Sequence, residues 1–138
     1  MATALRTGQL HPLHRRLARA SLVTVWLATA LVSLIELHGQ ASDLLKATPL
    51  PADWATPLTL AGALADLMIG LALWRWHKCP VYLGAGLAML LLTALATVLL
   101  PSLWMDPMGP LLKNLPIAAL LLLLAQDAAS LSGPQGTP

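Results

Sequence analysis

Uncharged apolar runs alternate with short polar connections along this chain, and that alternation is its dominant pattern. No charge occurs between Ala20 and Ile35, Asp66 alone interrupts the run from Thr56 to Trp76 before Arg75 at its very end, and none occurs from Pro80 to Leu100. About 20 apolar residues in a helix cross the hydrocarbon core of a bilayer, so each of these runs predicts a transmembrane helix. The last uncharged stretch, Asn114 to Gln126, is shorter. Extending it back to spanning length starts the fourth helix near residue 108 and draws Lys113 into the membrane zone. The expected fold is an all-α integral membrane protein, an antiparallel bundle of four transmembrane helices at residues 20–37, 56–76, 80–100 and 108–126. A polar segment, 1–19, precedes this membrane domain of 20–127, and a disordered tail, 128–138, follows it.

Within the spans, polar positions recur at helical spacing. Trp26, Thr29, Ser33 and Glu36 form one stripe, and Tyr82, Gly86, Met89, Thr93 and Thr97 another. Gly62, Asp66 and Gly70 recur every four residues, a small-residue seam suited to close helix contact with a carboxylate at its centre. Each stripe is expected to face protein. At about 1.5 Å of rise per residue, Asp66 lies roughly 15 Å and Lys113 roughly 8 Å below the outer boundary, with Glu36 near that boundary. The lysine stem can cover much of the remaining gap, and Asn114 adds hydrogen-bonding capacity. Glu36, Asp66, Lys113 and Asn114 are therefore the candidate lining of an outward-facing polar pocket. The same groups could instead simply lock helix register, or Lys113 could reach the headgroups while Asp66 stays protonated.

Composition agrees with a membrane solvent. The 138 residues are 57% hydrophobic and only 10% charged, against roughly 25% charged in soluble domains. Phe is absent and Leu and Ala dominate, which favours helices over a barrel. Arg6, Arg15, Arg16 and Arg19 precede the first span and Arg75 and Lys78 lie in the second connection, whereas Lys46 and Lys113 stand alone on the other side. Under the positive-inside rule both termini face the cytoplasm of a bacterial-type inner membrane. Gly39-Gln40-Ala41 offers a cleavage site of signal-peptide type, but the span before it ends in Glu36 at a length that suits a retained helix. Arg15-Arg16 is read as a topology determinant, with little around it to support an export signal.

Several chemistries find no support. The few basic residues form no nucleic-acid patch. Cys79 is the single cysteine, so no internal disulfide, thiol pair or zinc cluster is available. It lies beside His77 and Lys78 in a basic turn and is expected to be an unreactive interfacial residue. His38 and His77 fall at opposite ends of the bundle and His11 and His14 before it, so no haem and no metal site is expected. Trp54, Trp74, Trp76 and Trp104 fall at helix ends as interfacial anchors. No nucleophile–base pair or phosphate loop is present, and no catalytic residue is assigned.

Before the last helix runs Trp104-Met105-Asp106-Pro107-Met108-Gly109-Pro110-Leu111-Leu112-Lys113-Asn114-Leu115-Pro116. It resembles the Trp-x-x-Pro-x-Gly-Pro-x-x-Lys-Asn-x-Pro run of the DoxX-like membrane protein family, whose members occur alone or fused behind a short-chain-dehydrogenase-type domain. Ser42-Asp43-Leu44-Leu45, Asp66-x-x-x-Gly70 and the region of Trp26 fit the same pattern, so the resemblance extends over about Arg15 to Asp127. It implies a four-helix membrane bundle and, through the wider superfamily, association with quinone-linked sulfur oxidation or membrane oxidoreductase complexes. The implied cofactor is a non-covalent quinone, and the implied partners besides the lipid bilayer are a separate redox protein or further copies of the chain. No Gly-x-Gly-x-x-Gly precedes a helix, so nicotinamide binding is not carried over. A small proton-coupled transporter using Asp66, and a structural or assembly role without catalysis, are the alternatives.

Overall fold

The computed structural model describes residues 9–37, 39, 43, 48–49, 51–105 and 111–132. Among them the fold is all-helical: α1 (Pro12–Ile35), α2 (Ala55–Arg75), α3 (Cys79–Leu99) and α4 (Asn114–Ser132), with short 3-10 turns at Ala52–Trp54 and Pro101–Trp104. All four helices are long and apolar enough to cross a membrane. His38, Ser42, Leu44, Leu45, Asp106, Pro107, Gly109, Pro110 and the last residues of the tail, which figured in the reading above, lie outside the described residues.

Three helix boundaries move, each for a local reason. The first helix starts at Pro12 and not at residue 20, so residues 12–19 of the expected N-terminal segment are helical. Proline suits the first turn, and His11 caps it by accepting a bond from the Leu13 N–H at 3.4 Å. The uncharged stretch marks the apolar part of the helix, not its ends. The last helix begins at Asn114 rather than 108, with a turn over 111–113. A start at 108 would put Pro116 in the helix interior, where its ring meets the carbonyl of the preceding turn; a start at Asn114 keeps it in the first turn. This helix also continues to Ser132, so residues 128–132 belong to it and not to a disordered tail. The Ser130 and Ser132 hydroxyls bond to the Asp127 and Ala128 carbonyls at its end. The middle spans shift by a single position at each end.

The helices associate as two close pairs, α1 with α2 and α3 with α4, and the pairs meet more sparsely along α1–α4 and α2–α3. The core is narrow, formed by Leu22, Trp26, Leu73, Tyr82, Met89 and Leu121 with small residues between them. Only 17–28% of each helix's most apolar window is buried in the protein, and Leu31, Leu91 and Val98 are among many side chains turned outward. Such a surface suits lipid, while the helices satisfy their own backbone groups.

The expected stripes hold in part. On α3, Tyr82 and Met89 are buried, and Thr93 and Thr97 are half-buried. On α1 the buried face is Leu22, Trp26 and Ala30, leaving Thr29 exposed with its hydroxyl bonded to the Val25 carbonyl. On α2 the close approach is at Gly70, where an added Cβ would lie 2.8 Å from Leu27 Cδ2 and 3.3 Å from Trp26 Cβ. Gly62 is not part of that contact, since a Cβ there would meet nothing within 4 Å. Ala63 and Thr59 take the buried positions instead.

Candidate functional site

Two polar centres result from this packing. The first is a half-open cleft of about 130 Å³ at the junction of the helix pairs. Trp26 and Thr29 line it from α1, Asp66 and Ile69 from α2, Met89 from α3, and Lys113 and Asn114 from the start of α4. Three of the four expected site residues thus share one space. Asn114, at the first position of α4, donates from Nδ2 to Thr93 Oγ1 at 2.8 Å, and Thr93 in turn donates to the Met89 carbonyl at 2.8 Å. One turn on, Thr97 donates to the Thr93 carbonyl and accepts from Trp104 Nε1 at 3.0 Å. Trp104 is therefore tied into the bundle, in contrast to the outward-facing Trp54, Trp74 and Trp76 expected to anchor at the interface. The threonine stripe fixes Asn114, and hence the beginning of α4, against α3.

Asp66 is half-buried and makes no hydrogen bond or ion pair with a described residue. Lys113 occupies the turn before α4, exposed, and makes no direct bridge to Asp66. Among the described residues neither side chain facing the cleft has a partner that satisfies it. Glu36 is not among the lining residues: its carboxylate folds over Gly39 and leaves no room there for a Cβ. The reason is local. Glu36 caps the C-terminus of α1, its N–H bonded to the Val32 carbonyl, and lies beyond the last helical residue.

The second centre was not anticipated from the sequence. At the opposite end of α4, Asp127 is fully buried and accepts from Arg15 Nε at 2.5 Å, from Arg15 Nη2 at 3.2 Å and from the Leu10 N–H at 2.8 Å. Arg15 completes the clasp by donating to the Leu10 carbonyl at 3.3 Å. His77, in the α2–α3 turn, brings Nδ1 within 2.7 Å of the Tyr82 hydroxyl. Its Nε2 lies 3.3 Å from Asp127 Oδ2, outside hydrogen-bond geometry, and has no other partner. Burial, with the positive charge of Arg19 beside it, holds the imidazole below its ordinary value against the opposing pull of Asp127. Arg19 donates from Nη2 to the Leu73 and Trp74 carbonyls at 2.9 Å each, closing the C-terminus of α2. The signal for this centre was periodicity, because Leu121, Leu124 and Ala128 put Asp127 on the buried face of its helix. A buried carboxylate there requires a cationic partner.

Residues 23–122 match the DoxX-like family. The chain belongs to that family. Asp66, Lys113 and Asn114 fall inside the matched region of this DoxX-like protein, whereas Arg15 and Asp127 fall outside it. The match is shorter at both ends than the resemblance over about Arg15 to Asp127. No curated protein and no solved structure matches the chain. Among the described residues no three His, Cys, Asp or Glu side chains converge as metal ligands, and Cys79 is a free thiol half-buried at the start of α3.

Proposed function

We propose that this DoxX-like protein is a membrane subunit or anchor of a quinone-linked oxidoreductase system, and that the Asp66–Lys113–Asn114 cleft holds the quinone ring. The observation that carries this reading is a carboxylate and an ammonium group facing one half-open apolar cleft without satisfying each other. Intramembrane charges left in that state point to a ligand or a proton path. Size favours the first. An apolar cavity of about 150 Å³ accommodates a benzene ring, whereas drug-sized ligands occupy about 300–1,000 Å³. A cleft of about 130 Å³ therefore fits one ring, with an isoprenoid tail left to the lipid-facing surface.

A bound quinone supplies two-electron, two-proton redox chemistry, with the electrons coming from a separate redox protein. Lys113 and the Asn114 amide are suited to donate hydrogen bonds to a ring oxygen, and Asp66 to accept one from a ring hydroxyl or to pass a proton. Trp26 and Met89 form the apolar walls. The start of α1 and the end of α4 lie at one end of the bundle, and the excess of Arg and Lys there supports a cytoplasmic location for both termini in a bacterial-type inner membrane.

The test is to purify the protein in mild detergent and extract bound lipids and quinones for mass spectrometry, alongside Asp66→Asn and Lys113→Ala. Stoichiometric quinone in the wild type, lost in both variants, is the expected outcome. A wild type carrying only bulk lipid, with both variants melting earlier, would assign the cleft to holding the bundle together and remove the quinone reading.

A further inference from the structure

A groove of about 430 Å³ runs down the outside of the α1–α2 pair, lined by Arg16, Arg19, Ala20, Val23, Thr24 and Trp74. It is separate from the Asp66 cleft and shares only Arg19 with the surroundings of Asp127 and His77. Its polarity is graded along its length. The two arginines and Trp74 form the mouth, at the bundle end where Trp76 is also exposed, while Ala20 and Val23 form a floor reaching about 12 Å along α1 from Arg16 to Thr24. Exposed tryptophans mark the headgroup level of a bilayer, so the mouth lies among headgroups and the floor among acyl chains.

The two cations differ in how they are held. Arg19 is immobilised by its bonds to the Leu73 and Trp74 carbonyls. That places a guanidinium at the groove mouth, with Trp74, 70% exposed, standing beside it. Arg16 is exposed and forms no ion pair among the described residues. Asp127, the buried carboxylate at this end, is already occupied by Arg15. The groove thus presents one fixed and one free guanidinium above an apolar channel, and guanidinium groups match phosphate oxygens in geometry as well as charge.

We infer that this groove is a binding site for an anionic phospholipid, the headgroup phosphate between Arg16 and Arg19 and an acyl chain along Ala20 and Val23. An acidic protein partner would use the charges but not the apolar floor. A zwitterionic lipid brings its own cation to a mouth that already holds the guanidinium groups of Arg16 and Arg19.

Native mass spectrometry of the detergent-solubilised full chain, titrated with phosphatidylglycerol or phosphatidylcholine, tests this. A single retained phosphatidylglycerol is expected, with no matching phosphatidylcholine adduct. Arg16→Gln should weaken that adduct about fivefold, the effect of one basic residue near an anionic surface. Arg75→Gln removes the same charge at the same end but outside the groove, and should bind as the wild type does. Equal retention of both lipids, an unchanged affinity in Arg16→Gln, or equal weakening in the two variants would overturn the site in favour of diffuse surface charge.

Discussion

Two levels of the bundle treat a carboxylate in opposite ways. At one end Asp127 is fully enclosed and saturated by Arg15 and the Leu10 amide, with His77 and Tyr82 packed beside it. Midway along α2, Asp66 is half-buried, lines an open cleft and makes no bond to a described residue. A saturated carboxylate has no capacity left for a ligand, and its energy goes into joining α1 to α4. An unsatisfied one leaves that capacity free. Similar chemistry, a carboxylate beside a cation, thus serves cohesion at the end of the bundle and is available for binding at mid-depth.

The largest effect that could break this contrast comes from the closed end. Removing one partner of a buried pair leaves an uncompensated charge, so Asp127→Ala is expected to cost about 3–5 kcal/mol and to lower the unfolding temperature sharply in detergent. Asp66→Asn, by contrast, should change stability by about 0.5 kcal/mol or less, because no protein bond is lost. Equal destabilisation of the two variants would show that Asp66 is also a structural group and erase the distinction.

An intermediate effect is expected from the glycines of α2. At Gly70 the contact with Leu27 and Trp26 is close, and Gly70→Ala should destabilise the α1–α2 pair by about 1–3 kcal/mol through overpacking. At Gly62 there is open space, and Gly62→Ala should be neutral or should stabilise by about 0.5–1 kcal/mol through helix propensity. Thermal unfolding of the two variants side by side would show whether the pair is as loosely filled near Gly62 as the geometry indicates.

The smallest effect is one of pH. The folded-state value of His77 lies below the ordinary 6.5 of a free imidazole, so the unfolded chain takes up its proton first as pH falls. Stability from this group is complete above 6.5 and declines as pH drops from there towards the lower folded-state value. His77→Gln should flatten that part of the pH–melting curve. A slope of the opposite sign would mean that Asp127 outweighs burial and Arg19 in setting the charge of the imidazole.

Much of the candidate site was legible because its residues break a simple pattern. Asp66 is the one charge within an otherwise apolar run, and Lys113 and Asn114 stand in a proline-bounded motif. Glu36 broke the pattern too, yet it caps a helix and turns over Gly39, which spacing along the chain does not reveal. Asp127 was harder to see, because it sits near a predicted helix end, where a charge is unremarkable in sequence. Only the continuation of α4 to Ser132 and the approach of Arg15 make it a buried pair.

The number of helices, their alternation of direction and their membrane character are properties of the sequence by itself, since hydrocarbon thickness and helix rise set the length of apolar chain a span requires. Family membership is likewise carried by the order of residues. Tertiary structure decided which polar groups meet, because partners such as Arg15 and Asp127, or Asp66 and Lys113, are distant in the chain and brought together only by the pairing and register of helices. It also decided which glycine makes a contact. Helical periodicity orients a face, but the depth and rotation of the neighbouring helix determine whether that face meets protein, a cleft or lipid.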